Sequence, residues 1–196
     1  MQRILLLDNF DSFTFNLAHY LENAGAMVDV VRCGEIFAPL AYDKIVFSPG
    51  PGLPADRKEM FDIIEIVNGK RPIFGVCLGM QAIALHLGGE IYNQETVKHG
   101  MQEKIRLLSS DLFDQLPDEI KVGLYHSWAV QKNSGSFSEI AFSENDILMA
   151  IENVDQKLFG VQFHPESIMT PKGRVIIENF LKIKKAFQIG RLFFLI

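Results

Sequence analysis

Four short apolar runs, residues 4–7, 27–31, 45–47 and 73–76, alternate with amphipathic stretches in the first half of the chain, and each ends at a turn former or a polar residue. Strands too short to fold alone, separated by helix-length amphipathic segments, are the pattern of parallel strands joined by crossover helices. The expectation is an α/β fold, a three-layer domain with a central, mostly parallel sheet. With 196 residues, 48% of them hydrophobic, the chain can bury a substantial core, and it reads as one domain over 1–196.

The connecting segments carry their own signals. Between the first two runs, Asp11 or Ser12 can cap a helix whose apolar face includes Phe13, Leu17, Tyr20 and Leu21, closed by Gly25. Residues 78–87 read as a helix stopped by Gly88-Gly89. The second half changes to shorter strand-like runs at 103–108, 120–124, 139–142, 148–151 and 159–163, expected as antiparallel additions to the sheet. Residues 173–185 look like a terminal helix with Val175, Ile176, Phe180 and Ile183 on one stripe, and the run 192–196 is apolar enough to pack on something.

Charge and cysteine usage exclude several functions. A net charge of -5 argues against nucleic acid as the main partner. Cys33 and Cys77 are too few for the disulfide framework of a secreted domain, and no CxxC or HExxH spacing suggests a metal. Reduced thiols in a cytoplasmic protein fit best. The opening Met1-Gln2-Arg3-Ile4-Leu5-Leu6-Leu7-Asp8 is too short in its apolar part for a signal peptide or membrane span.

Three segments carry chemistry. Phe74-Gly75-Val76-Cys77-Leu78-Gly79-Met80-Gln81 sets a cysteine between two glycines where a buried strand meets a helix, the form of a nucleophile elbow. A thiolate there gains from the free N–H groups and dipole of the helix that follows. Taken alone, the element reads equally as a small buried cysteine. Gly160-Val161-Gln162-Phe163-His164-Pro165-Glu166-Ser167 ends another run, and in extended backbone His164 and Glu166 would share a side, the carboxylate holding the imidazole. Alone, such a pair is more often a surface histidine beside a solvated glutamate. Cysteine, histidine and carboxylate in one chain make the full set for acyl transfer through a thioester. The loop Ser48-Pro49-Gly50-Pro51-Gly52-Leu53 can aim a backbone N–H at a tetrahedral intermediate, with the N–H of Leu78 as second donor, although its composition also fits a plain tight turn. It is not a phosphate cradle, so no nucleotide site is expected.

These segments, in this order, together with Leu7-Asp8-Asn9-Phe10-Asp11-Ser12-Phe13-Thr14-Phe15-Asn16-Leu17, resemble the class I glutamine amidotransferases over nearly the whole chain. Within that family the chain looks like the glutaminase subunits of anthranilate synthase and aminodeoxychorismate synthase. The resemblance implies a flavodoxin-like α/β fold and no cofactor or metal. It makes Cys77 the nucleophile, His164 the general base and acid, and Glu166 its orienting partner. Gly52 and Leu78 would supply the oxyanion N–H groups, with Gly50 and Pro51 in the same wall of the glutamine pocket. Gln81 would contact the substrate, and Ser127 and Trp128 would hold its amino-acid group by backbone contacts. For the side chains of His126 and Trp128 the residues suggest only a packed histidine and a buried aromatic.

The chain departs from the family pattern at three places. Met80 stands where relatives usually carry His, Met101-Gln102 where they commonly carry Lys and a small hydroxylic residue, and Leu124 where they often carry Arg. The implied partners are L-glutamine and a separate chorismate-using synthase that consumes the ammonia, with no nucleic acid and no membrane. A stand-alone thiol amidase with the same triad, and a non-catalytic regulatory subunit, are the alternatives.

Overall fold

Along the first strand, β1 (Arg3–Asp8), Ile4 and Leu6 point into one apolar cluster while Leu5 and Leu7 point into another. A strand buried on both faces needs a layer on each side of its sheet. The computed structural model describes residues 1–35, 38–67 and 69–184, without the side chains of residues 96 and 97. After β1 come α1 (Thr14–Asn23), β2 (Met27–Arg32), β3 (Lys44–Phe47), α2 (Lys58–Val67), β4 (Ile73–Val76) and α3 (Leu78–His86). The second half adds β5 (Ile91–Leu107), β6 (Glu119–Val130), β7 (Ser138–Ser143), β8 (Leu148–Asn153), β9 (Leu158–Val161) and α4 (Gly173–Lys182).

Among the described residues nine strands form one sheet, in the order β2-β1-β3-β4-β9-β8-β7-β5-β6. Strands β2, β1, β3, β4 and β9 run parallel to one another, and β8, β7, β5 and β6 extend the sheet antiparallel. Leu17 and Leu21 of α1 and Ile176 and Phe180 of α4 cover one face; Met60 and Ile64 of α2 and Ile83 of α3 cover the other. The three-layer α/β architecture follows from that two-sided burial. No helix among the described residues is long and apolar enough to cross a membrane.

Some local expectations need correction. The run at 159–163 is not an antiparallel addition: β9 pairs parallel with β4 and places its carboxyl end beside that of β4. Strands β5 and β6 reach well beyond the apolar runs at 103–108 and 120–124, because backbone pairing carries the ladder through polar residues, exposed ones such as Lys104 and Lys121 and buried ones such as Lys98 and His126. Neither Asp11 nor Ser12 is the cap of α1. Phe13 occupies that position, while Asp11 forms the preceding turn, its Oδ1 accepting from Phe13 N at 2.8 Å. Helix α4 ends at Lys182, and the apolar run at 192–196 lies outside the described residues.

Candidate active site

The carboxyl ends of four adjacent parallel strands meet on one edge of the sheet: Asn9 follows β1, Ser48 to Gly52 follow β3, Cys77 follows β4, and Gln162 and His164 follow β9. Open α/β sheets bind their ligands at this edge, where the order of strands reverses.

Cys77 sits in a turn that its neighbours impose. A Cβ on Gly75 would lie 2.3 Å from the carbonyl carbon of Gly79, and one on Gly79 would lie 2.7 Å from Cβ of Phe47. Strand and helix therefore approach to backbone contact, and the chain passes between them through a single residue of positive φ. Cys77 takes that conformation, φ 52 and ψ -101, at a cost of roughly 1–3 kcal/mol for a residue with a side chain. The turn leaves Cys77 as the N-cap of α3, with the N–H of Leu78 in the first turn free of an intrahelical partner.

His164 and Glu166 do come together, but not through extended backbone. The chain leaves β9 at Val161 and turns, with Ser167 N bonded to His164 O at 3.2 Å. Nδ1–H of His164 donates to Oε1 of Glu166 at 2.7 Å, and the two side chains are 3% and 0% exposed. His164 N donates to Gly123 O at 3.1 Å and Thr170 Oγ1 donates to His164 O at 2.6 Å, which fixes the backbone beneath the ring. Tyr125 and Phe13 meet the imidazole edge to face, with centroids at 4.9 and 5.5 Å. The other ring nitrogen, Nε2, is buried and without a hydrogen bond among the described residues, and the Cys77 sulfur lies near enough to favour the protonated ring. Burial alone would lower the pKa of His164; the neighbouring Cys77 sulfur and the hydrogen-bonded, negatively charged Glu166 outweigh it and raise the pKa to about 10.

A cavity of about 170 Å³ opens on Cys77, lined by Gly50, Pro51, Gly52, Leu78, Gln81, Tyr125, His126, Ser127 and Trp128. That is the space of roughly five or six liquid waters, the scale of an amino-acid side chain and far short of a nucleotide. A Cβ on Gly50 would lie 2.7 Å from Cβ of Asn9 and 2.8 Å from Cδ2 of Leu78, so its absence lets the loop close against the start of α3. Asn9 holds that loop from below, its Nδ2 donating to Ser48 O at 2.9 Å. Gly52, at φ +83, can hold its backbone where a side chain would strain it. On the opposite wall the β5–β6 register passes from Asn93↔Trp128 to Lys98↔His126, so Ser127 faces a bulge and its backbone is released from the ladder. A larger hollow, about 630 Å³, lies between the chain start and α4, and no cysteine or histidine lines it.

Every residue expected at the site except His164 and Glu166 lines this one cavity, and of those two His164 packs its ring against Tyr125 of the cavity wall while Glu166 holds the far side of the imidazole. Two groups escaped the sequence reading: Gln162 donates its Nε2 to Cys77 Sγ at 3.4 Å, and Tyr125 covers His164. The spacing of Gln162, two residues before His164, was the available signal for the first. His126 is the packed histidine expected, buried with Nδ1–H donating to Trp128 O at 2.9 Å, and it also lines the cavity. Trp128 is only partly buried, contrary to the expected buried aromatic.

The model of the glutamine amidotransferase class-I family matches residues 5–184 of this chain. The chain belongs to the class I glutamine amidotransferases. Anthranilate synthase component 2 of Pyropia yezoensis, a member by name of a synthase, is 41% identical over 186 residues, 91% of this chain and 98% of that protein. Aminodeoxychorismate synthase of Streptomyces griseus is 40% identical over 185 residues, which are 91% of this chain but 25% of that longer protein. A solved glutamine amidotransferase from Thermotoga maritima superposes with a TM-score of 0.76 at 16% identity, covering 92% of this chain and 96% of that one, a likeness of fold. Among the departures from the amidotransferase pattern, Met80 is fully buried against Gly160 and Leu124 is buried in the core, whereas Met101 is exposed.

Proposed function

We propose that this class I amidotransferase hydrolyses the side-chain amide of glutamine and passes the ammonia to a separate chorismate-using synthase. The observation that carries the reading is the convergence, in one cavity of amino-acid size, of a cysteine held in a strained turn with a loop and a helix start able to bind an oxyanion. The relatives named for anthranilate and for aminodeoxychorismate synthesis support the class of partner. Which of the two products forms is decided by that partner's active site.

In this mechanism the Cys77 thiolate attacks the amide carbon, and the oxygen takes up the negative charge. The N–H groups of Leu78 and Gly52 stabilise it. His164, as imidazolium, gives its proton to the departing nitrogen, and ammonia leaves a γ-glutamyl thioester on Cys77. The now neutral His164 takes a proton from water, the hydroxide attacks the thioester, and glutamate departs as the Cys77 thiolate and His164 imidazolium are restored. Glu166 keeps Nδ1 protonated and offsets the imidazolium charge throughout. Ser127 and Trp128 hold the amino-acid end of the substrate, beside the bulge in β5.

The reading sets the reaction in the cytoplasm, where both thiols stay reduced. Glutamate release from glutamine by the native chain and by Cys77→Ala, each with and without the chorismate-using synthase, tests it. Cysteine-dependent release that rises with the synthase supports the coupled subunit; release that is cysteine-dependent but indifferent to any synthase favours a stand-alone amidase, and product formation unaffected by Cys77→Ala favours a scaffold.

A further inference from the structure

Gln162 has no part in the mechanism above, yet it is fully buried and touches the reacting sulfur. Its Nε2 lies 3.4 Å from Cys77 Sγ, and its Oε1 accepts from Gln81 Nε2 at 3.1 Å. Gln81 Nε2 also donates to Trp128 O at 3.1 Å.

The orientation of both carboxamides is forced by these partners. A backbone carbonyl only accepts, so the atom of Gln81 facing Trp128 O is the NH2 group. The same nitrogen faces Gln162, whose nearer atom must then be its oxygen. That leaves the NH2 group of Gln162 for the sulfur. Turning Gln162 over would set two NH2 groups against each other and an acceptor oxygen against a thiolate.

We propose that Gln162 is a further catalytic residue of this site, an N–H donor that stabilises the Cys77 thiolate and, through Gln81, ties the nucleophile to the wall that receives the substrate. The proposal rests on the reading of Cys77 as the nucleophile toward glutamine. It also assigns the polarity of Gln81. Both N–H bonds of its carboxamide are engaged by Trp128 and Gln162, so the group it presents to the cavity is its oxygen, an acceptor for an ammonium or amide N–H of the bound amino acid.

The test is the rate at which iodoacetamide alkylates Cys77, followed by peptide mass spectrometry across pH, in the native chain, Gln162→Met and Gln162→Glu. Met keeps the length of the side chain and removes the donor; Glu also keeps the acceptor for Gln81. Cys33 serves as an internal control, because burial, with the charge of Glu59 second, pushes its thiol up to about 11. Loss of one donor to a charged sulfur predicts that the pH of half-maximal alkylation rises by about one unit in Gln162→Met, with the rate at neutral pH falling about tenfold, and rises further in Gln162→Glu. The kcat for glutamine is expected to fall more than KM rises. An unchanged half-maximal pH in either folded variant would overturn the proposal, whatever the change in melting temperature. The alkylation readout needs no glutamine, so it passes or fails independently of the glutaminase reading.

Discussion

Oε1 of Glu166 accepts a 2.7 Å hydrogen bond from Nδ1–H of His164, and the carboxylate is among the most deeply buried acids of the described residues, its side chain fully shielded from solvent. A buried carboxylate in that position favours the imidazolium, so it helps hold His164 protonated into the alkaline range. Replacing it with Gln keeps the shape and removes the charge. Glu166→Gln is expected to lower kcat by on the order of 10²-fold and to move the alkaline limb of the activity profile to lower pH, since the imidazolium then loses its proton more readily. Steady-state kinetics across pH check this; an unmoved alkaline limb contradicts it.

Strain at Cys77 predicts an unusual stability ranking. At φ 52 and ψ -101 a side chain is penalised and glycine is not. Cys77→Gly should therefore be more stable than Cys77→Ala by about 1 kcal/mol, in the reverse of the order expected in most buried turns. Both variants should be inactive. Urea denaturation of the pair gives the answer directly.

Gly50→Ala tests how tightly the loop after β3 must lie on α3. The added methyl would meet Asn9 at 2.7 Å and Leu78 at 2.8 Å, so the loop must retreat and carry the Gly52 N–H away from the place proposed for the oxyanion. A loss of one oxyanion donor corresponds to about 10²-fold in kcat. The expected result is that loss with a much smaller change in thermal stability, measured by kinetics and calorimetry on the same preparation.

His126 gives a pH dependence of the opposite sign to that of His164. Burial, only partly offset by the bond to Trp128 O, lowers its pKa from 6.5 to about 4. Above 6.5 the folded and unfolded forms are both neutral; between 6.5 and about 4 the unfolded chain takes up a proton that the folded chain refuses, so stability falls as pH falls through that window. His164 adds no slope there, since below its unfolded value it is protonated in both states. Unfolding midpoints should decline on acidification in the native chain and decline less in His126→Gln; equal slopes would contradict the assignment.

Much of this was legible in the residues, and the exceptions have physical causes. The runs at 4–7, 45–47 and 73–76 became β1, β3 and β4, which are buried on both faces and therefore read as continuous apolar stretches, and the run at 27–31 became the half-buried edge strand β2. The direction of β9 was not legible, since pairing partners are set by tertiary packing and a run of apolar residues does not encode which neighbour it meets. Strands β5 and β6 hid their length for a related reason: a ladder of backbone bonds extends through Lys98, His99 and Gln102 without an apolar pattern to mark it. At the site, Cys77, His164 and Glu166 stood out by type. Gln162 did not: its place two residues before His164 was the one local hint, and the partners that fix its carboxamide, Gln81 and Cys77, are remote in sequence.

The most direct test of Cys77 as the nucleophile toward glutamine is to quench the chain in acid during turnover, with its synthase present, and to map covalent adducts by peptide mass spectrometry. A γ-glutamyl thioester confined to the Cys77 peptide, and absent from Cys77→Ala, is the predicted result. Continued glutamate release with no adduct on Cys77, or an adduct on another residue, would contradict the account.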